Sequence, residues 1–179
     1  MSFSVVVLAA GQGTRMSSSK PKALQTLAGK PMLAHILDEV EKVEPDQIII
    51  VHSPKHRELV KNVATNFNKT TLVAQEQPLG TGDAVKTAIP SLHKDNNILV
   101  LLGDVPMIKA KTLKVLKEEV QTTDILVLTT KLEKPSGYGR LKRDEKNNVM
   151  AIVEETECNN KEKEINEINS GIIAFSGDH

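Results

Sequence analysis

The sequence predicts an α/β protein with a three-layer, doubly wound (Rossmann-like) sheet and a smaller mixed-sheet lobe. Apolar runs without polar alternation recur along residues 1–130, and segments with helical spacing separate them. From residue 135 onward, strand-like segments follow one another with turns between them, which indicates a change of architecture. A length of 179 residues fits a single domain, and we divide it into a first part, 1–134, and a lobe, 135–179.

Composition excludes several classes of function. Lys plus Arg and Asp plus Glu each number 23, and no long basic run occurs, so neither nucleic acid nor a membrane is expected as a partner. The single Cys158 cannot form an intrachain disulfide, and no Cys/His spacing indicates zinc. We therefore expect a reducing compartment and a cytoplasmic location. No stretch approaches the ~20 apolar residues of a membrane span.

The first predicted strand, residues 5–8, runs into a glycine loop and then into basic residues. Its β-branched side chains predict burial on both faces of a parallel sheet, so a ligand should bind at its carboxyl end. Gly11 and Gly13 let backbone N–H groups approach phosphate oxygens closely. Arg15 and Lys22 carry the charge that would neutralise a phosphate. A turn that serves packing alone remains the alternative.

Two better-known phosphate loops do not fit this stretch. The dinucleotide fingerprint requires a third glycine, and Pro21 obstructs the helix that should follow immediately. A P-loop requires Gly-Lys-Ser/Thr after a four-residue gap, where this sequence has Met16. A dehydrogenase is therefore disfavoured.

The following elements continue the alternation of helix and strand. In order, the patterns predict helix 31–43, strand 48–51, helix 56–67, strand 71–74, a glycine-rich loop over 75–82 and a short helix over 83–89. A glycine-rich helix start offers free N–H groups to an anion or to a base edge. A plain loop with a helix cap explains the same residues equally well.

The most apolar strand, residues 98–102, ends in Gly103 and Asp104. An isolated Asp after a strand is more often a turn residue. Its position opposite the first glycine loop favours a metal-binding role, because a carboxylate beside a phosphate site suits Mg²⁺.

The rest of the chain carries the last helix of the alternation and the lobe. A helix near 109–120 and a strand at 125–130 complete five strands that we expect to be buried on both faces. In the lobe we predict a turn at 136–140, a hairpin tip at 144–148, strands at 149–155 and 168–175, and a solvated loop or helix over the charged run 156–167. We expect the lobe to lie over the site.

Motifs spread over most of the chain occur in a characteristic order: LAAGQGTRM, KPKAL, TLAGKPM, QPLGTGDAV, LLGDVPMI, SGYGRL, IVEE and EINSGI. In this order they resemble bacterial N-acetylglucosamine-1-phosphate uridyltransferases, specifically the N-terminal pyrophosphorylase domain of the bifunctional enzyme. The resemblance implies a Mg²⁺-dependent nucleotidyltransferase of peptidoglycan synthesis. Its substrates would be UTP and N-acetylglucosamine-1-phosphate, and its products UDP-N-acetylglucosamine and pyrophosphate.

The resemblance also implies roles for residues at matching positions. The nucleotide would be lined by Leu8, Ala9, Ala10 and Gly11, and its phosphates would be bound by Arg15 and Lys22. Uracil would be read by Gln75, Gly80 and Thr81, and Mg²⁺ would be bound by Asp104. The amino-sugar phosphate would be held by Gly139, Glu154 and Asn169. Arg15, Lys22 and Asp104 would be the catalytic residues. The part after residue 135 would then be a sugar lid.

The sequence departs from the family in three places. The family's domain continues beyond His179 and supplies a second magnesium ligand, an Asn, so we expect UTP binding with slow turnover. Asp83 stands where a His is frequent after Gly-Thr-Gly. The family's acetyltransferase half, built of hexapeptide repeats, has no counterpart in this sequence, so acetyl transfer is not expected.

Two alternatives stay open. A nucleotidyltransferase for another sugar phosphate or base would keep the glycine loop, Lys22 and Asp104. A nucleotide-binding remnant would keep affinity and lose turnover. The sequence does not indicate an oligomeric state.

Overall fold

The structure, a computed structural model, describes residues 2–11 and 20–177, and Arg15 lies outside them. The chain forms two compact units, Met1–Leu126 with Ala174–His179, and Val127–Ile173. Within the described residues, no helix has the length and apolar character needed to cross a bilayer.

The elements alternate between strand and helix over the first two thirds of the chain. In order they are β1 (Phe3–Leu8), β2 (Thr26–Leu27), β3 (Lys30–Pro31), α1 (Met32–Glu41), β4 (Gln47–His52), α2 (Arg57–Ala64), β5 (Thr70–Ala74), α3 (Thr81–Ala88), β6 (Asn97–Leu102) and α4 (Ala110–Glu119). They continue with β7 (Ile125–Lys131), β8 (Arg140–Arg143), β9 (Val149–Val153), α5 (Asn160–Lys163) and β10 (Glu167–Phe175).

The first unit is built on a parallel sheet with the strand order β5-β4-β1-β6. The central strand β1 pairs in parallel with β4 and with β6, and β4 pairs in parallel with β5. Leu8, the last residue of β1, lies opposite Val51 and Leu102. The carboxyl ends of these strands therefore meet at one edge, where the sequence predicts the ligand.

Helices cover both faces of this sheet, which explains why its central strands lack polar alternation. On one face the sheet packs against α3, in a cluster that includes Val6, Ile49, Val51, Ala84, Ala88 and Val100. On the opposite face the Lys117 ammonium of α4 lies 5.4 Å from the centre of the Phe3 ring, and α1 contacts both α2 and α4. Each buried Val, Leu or Ile stabilises the fold by about 1.5–3 kcal/mol. The predicted three-layer architecture is confirmed.

Most predicted elements occur within a few residues of their predicted bounds, and the differences have local causes. The helix predicted over 31–43 begins at Met32, because Pro31 has extended backbone with φ −57° and ψ 141°. The helix predicted over 83–89 begins earlier, at Thr81. Gly80 precedes it with φ 110°, a conformation that favours glycine, and serves as its N-cap.

The prediction of five strands buried on both faces is wrong for β5, an edge strand whose residues are only partly buried or exposed, and for β7. The strand β7 pairs with β10, and its side chains are only partly buried or exposed. Its apolar run Ile125–Leu128 resembles that of a central strand, but pairing with a distant partner decides which strand lies at a sheet centre.

The second unit contains antiparallel pairs. β8 pairs with β9 and with β10, so that Arg140 lies opposite both Val153 and Ile168. The turn predicted over 136–140 therefore ends one residue earlier, since Arg140 begins β8. The strand predicted over 149–155 ends at Val153, and the charged run contains the short helix α5, which a capping box between Asn159 and Glu162 stabilises.

Candidate active site

A cavity of about 530 Å³ lies at the carboxyl ends of β1 and β6 in the first unit. This volume is typical of small-molecule sites. Its walls are formed by Leu8, Ala9, Ala10, Gly11, Lys22, Ala23, Gln75, Pro78, Gly80, Thr81, Ala84, Leu102 and Asp104. Every described residue to which the resemblance assigns the nucleotide or the metal is in this set.

The backbone directly after β6 approaches the end of β1 closely, between the cavity residues Leu102 and Asp104. The Gly103 amide donates a hydrogen bond of 2.8 Å to the Leu8 carbonyl. A Cβ at Gly103 would lie 2.8 Å from the same oxygen and 3.0 Å from the Ala23 Cβ. Glycine is therefore required beside Asp104, a requirement that sequence reasoning missed and that the Gly-Asp pair after a buried strand could have indicated.

Lys22 and Asp104 form an ion pair at the cavity, with Nζ 2.6 Å from Oδ2. Lys22 begins a short 3₁₀ turn whose next residues, Ala23 and Leu24, are buried, so the turn is anchored to the core and its lysine side chain remains partly exposed. Both charged groups therefore lie on the cavity wall with solvent access. The ammonium is suited to a phosphate oxygen, and the carboxylate to a cation.

The donor set around Asp104 fits Mg²⁺. Mg²⁺ is commonly bound by one or two carboxylates together with waters and substrate phosphates. In the part of the chain that the structure describes, no group of three or more His, Cys, Asp or Glu residues could hold a metal ion. A cation at Asp104 would therefore complete its coordination with phosphate oxygens and water.

The loop between β5 and α3 presents an amide and a helix start to the same cavity. The backbone N–H of Gln75 donates to the His52 carbonyl at 2.8 Å, which connects the start of the loop to β4. The Gln75 side chain is buried, and its Nε2 donates to the Gly80 carbonyl at 3.2 Å and to Asp83 Oδ2 at 2.7 Å. No side-chain hydrogen bond caps the N-terminus of α3 at Gly80. Its first N–H groups can therefore serve a ligand, as the glycine-rich loop indicates.

Sequence reasoning missed four apolar residues of this wall, namely Ala23, Pro78, Ala84 and Leu102. Ala84 and Ala88 recur at helical spacing and face the sheet, so the periodicity of α3 could have identified Ala84. A base lies against apolar surface while polar groups read its edge, and this cavity offers both.

The three residues to which the resemblance assigns the sugar phosphate lie close together in the second unit. The Asn169 amide N–H donates to the Gly139 carbonyl at 2.9 Å. A Cβ at Gly139 would lie 3.2 Å from Glu154 Oε1, so the carboxylate lies directly beside the glycine. Their proximity is observed, while their role in sugar binding stays a prediction.

Arg140 fixes the loop that contains Gly139, a feature that sequence reasoning missed. Its guanidinium is buried, donates to the Tyr138 carbonyl and lies 3.7 Å from Glu155 Oε1. Glu155 in turn accepts a hydrogen bond from the Gly137 amide. The backbone of the loop is thus held from both sides, and a basic residue directly after a glycine-rich turn was the available signal.

Residues 5–146 match the family model described as the MobA-like NTP transferase domain. The chain belongs to this family. As a MobA-like NTP transferase domain, it has the parallel sheet and strand-end cavity described above, and the predicted nucleotidyltransferase fold is confirmed.

Curated relatives resemble this domain over almost its whole length. It is 44% identical over 173 residues to the bifunctional protein GlmU of Psychrobacter cryohalolentis, which covers 96% of this chain and 38% of the relative. It is 46% identical over 172 residues to the bifunctional protein GlmU of Nitrosomonas europaea, and this match covers 96% of this chain and 37% of the relative. The chain thus spans less than half the length of these relatives. The predicted resemblance to the N-terminal part of the bifunctional enzyme is confirmed.

A solved structure shares the fold of this domain at lower sequence identity. It is a UDP-glucose pyrophosphorylase complexed with UDP-glucose, with a TM-score of 0.78 and 20% identity, and the match covers 99% of this chain and 77% of that one. At this identity the comparison supports the fold alone.

Proposed function

We propose that the chain transfers UMP from UTP to N-acetylglucosamine-1-phosphate, giving UDP-N-acetylglucosamine and pyrophosphate. The observation that carries this proposal is that the Gln75 loop and the Lys22–Asp104 pair line the same cavity. The loop offers polar groups to a base edge, and the ion pair offers charge to phosphates and a cation. The similarity to the bifunctional relatives supports the choice of UTP and the amino-sugar phosphate.

The chemistry requires positioning and charge neutralisation rather than an enzyme nucleophile. An oxygen of the sugar-1-phosphate attacks the α-phosphorus of UTP in line, the bond from this phosphorus to the β-bridging oxygen breaks, and pyrophosphate leaves with the electron pair. Lys22 binds a phosphate oxygen and neutralises part of the charge that develops there. Asp104 would hold Mg²⁺, which supplies further positive charge at the phosphates. We assign Arg15 to the same phosphates.

The ion pair between Lys22 and Asp104 links the proposed phosphate contact to the proposed cation site. The ammonium neutralises a carboxylate that is 30% exposed. Binding of the triphosphate offers Lys22 a new anionic partner and releases the carboxylate oxygen for the cation. The nucleotide and the cation are therefore expected to bind together.

We assign the sugar phosphate to Gly139, Glu154 and Asn169. The Glu154 carboxylate is suited to accept a hydrogen bond from a sugar hydroxyl, and the Asn169 side chain to pair with a polar group of the ligand. Glu154 is not needed as a base, because a phosphate monoester is largely ionised near neutral pH.

The test is pyrophosphate release from UTP and N-acetylglucosamine-1-phosphate with Mg²⁺. We expect release from the wild-type chain, and a loss of roughly a hundredfold or more in Asp104→Asn, because a misplaced reacting group costs about that much. Asp38→Asn is the matched control, since Asp38 pairs with Lys30 outside this cavity.

Other outcomes separate the alternatives. Release only with a different sugar-1-phosphate would assign a different acceptor. UTP binding without release from any sugar phosphate would indicate a nucleotide-binding remnant. Failure to bind UTP would show that the proposed function is wrong.

A further inference from the structure

Hydrogen bonds within the protein orient the side chain of Gln75. The residue is only 6% exposed, and its Nε2 donates to both the Gly80 carbonyl and Asp83 Oδ2. Its Oε1 accepts no hydrogen bond among the described residues. Among the described residues, Arg140 Nε is the one side-chain nitrogen or oxygen that is fully buried and has no hydrogen-bond partner. Since Gln75 Oε1 has no partner among these residues and is not such an atom, it is not fully buried. The Gln75 oxygen is therefore the side-chain atom available to a ligand in the cavity that this residue lines.

The chemistry of the two partners makes this orientation the only favourable one. A carbonyl and a carboxylate accept hydrogen bonds and donate none. Rotating the amide by 180° would place Oε1 against two acceptor oxygens and lose both hydrogen bonds. Asp83 is the stronger of the two partners, because it is charged and its oxygen lies 2.7 Å from Nε2, against 3.2 Å for the Gly80 carbonyl.

We infer that Asp83 determines the base specificity of this site by fixing Gln75 with its acceptor oxygen towards the ligand. A base that meets this oxygen must present a donor. The N3–H of uracil is such a donor, whereas the corresponding N3 of cytosine is an acceptor and would face Oε1 unfavourably. This inference rests on the proposed function and explains how the proposed uracil-reading residue distinguishes the two pyrimidines.

Asp83 acts through Gln75 and is a positioning residue. Among the described residues, the cavity wall includes Gln75, Gly80 and Thr81 but not Asp83. Asp83 lies in the first turn of α3, where the positive end of the helix dipole favours a carboxylate. The Thr87 hydroxyl donates to the Asp83 carbonyl at 2.8 Å and adds a further contact to this turn. The local structure thus favours both the charge and the position of the carboxylate.

The test compares UTP and CTP binding by calorimetry, with Mg²⁺ and the full chain. Asp83→Asn preserves the shape but supplies an amide that can either donate or accept, so the longer hydrogen bond to the Gly80 carbonyl alone continues to favour the observed orientation of Gln75. We expect the wild-type chain to prefer UTP, and the preference to fall roughly five- to tenfold in Asp83→Asn, the range expected for one buried hydrogen bond. Asp83→Ala repeats the test without a new amide. Asp38→Asn, which removes a carboxylate outside this cavity, should leave the ratio unchanged.

The outcomes separate this inference from the proposed function. A UTP preference that persists unchanged in both Asp83 variants overturns the inference and leaves the proposed function intact. Equal binding of UTP and CTP by the wild-type chain overturns the inference and the uridine selectivity together. Binding of neither nucleotide overturns the proposed function and, with it, the inference. Thermal melting of each variant confirms that a lost preference is not caused by unfolding.

Discussion

At the scale of single residues, Arg143 and Glu167 form the most strongly hydrogen-bonded ion pair of the second unit. The Nε and Nη2 atoms of Arg143 donate to the two oxygens of Glu167 at 2.9 Å and 2.8 Å, and the Thr129 hydroxyl donates to the same carboxylate. Hydrogen bonding by Arg143, and to a lesser degree by Thr129, lowers the pKa of Glu167 from 4.5 to about 2. The pair therefore links the stability of this unit to pH.

We expect the contribution of Glu167 to stability to disappear under acid conditions. Because its pKa is lower in the folded state, the contribution is fully present above pH 4.5 and is lost as the pH falls through about 2. Urea unfolding across this range should show a steeper loss of stability in the wild-type chain than in Glu167→Gln, which cannot titrate. Parallel pH dependence of the two proteins would contradict this assignment. Glu145→Gln, which alters an exposed carboxylate, is the control.

At the scale of elements, the close approach of β6 to β1 makes Gly103 a sensitive position. The carbon of an added methyl group would lie 2.8 Å from the Leu8 carbonyl oxygen. Cβ atoms in proteins essentially never lie within 3.0 Å of such an atom. We expect Gly103→Ala to lower the free energy of unfolding by about 1–3 kcal/mol, the usual cost of overpacking. Because the neighbouring residue is Asp104, UTP binding with Mg²⁺ should weaken as well.

Gly82 provides the matched comparison for stability. A Cβ there meets no atom within 4 Å, and the residue lies in α3, where Ala is the better helix former. Gly82→Ala should therefore retain or slightly raise stability in urea unfolding. Equal destabilisation by the two substitutions would show that the contact with Leu8 is not the cause.

Elements of the parallel sheet could be predicted from the sequence because burial on both faces of a strand requires a continuous run of apolar residues. β1, β4 and β6 are apolar runs, and their shared direction predicts the edge at which the cavity lies. β8 has no such pattern, since three of its four residues, in the sequence Arg-Leu-Lys-Arg, are charged. Its pairing with β9 and β10 depends on residues far along the chain.

The candidate site shows the same limit. The motifs predicted which residues line the cavity, but the acceptor that orients Gln75 was not predicted. Asp83 lies eight positions away in the sequence, and only the turn at Gly80 brings its carboxylate to 2.7 Å from Gln75 Nε2. Arg140 was assigned to a turn for a similar reason, because its burial depends on the strands on either side of it.

At the scale of the whole molecule, binding of UTP should stabilise the folded chain. A ligand that binds only the folded state at a hundred times its Kd adds about 2.7 kcal/mol, which raises the Tm of a chain of this size by roughly 5–10 °C. We expect this increase with UTP and Mg²⁺ in a thermal melt. Lys22→Ala should show a smaller increase, because it lacks the proposed phosphate partner.

A control and a contrary result complete this prediction. Lys55 is exposed and outside the cavity, so Lys55→Ala should retain the full increase. An equal increase in Lys22→Ala would remove Lys22 from the proposed phosphate contacts.

The chain leaves the first unit after Leu126 and returns to it at Ala174. The returning segment contributes Phe175 to the core beside α3, and the amides of Ser176 and Gly177 donate to Asp124 and Asn97. A ribosome that makes the protein from its N-terminus must therefore synthesise the entire second unit before the first can acquire these contacts. During that interval the amino-terminal end of β6, where Asn97 lies, lacks this segment, so the first unit should reach its full stability late in synthesis.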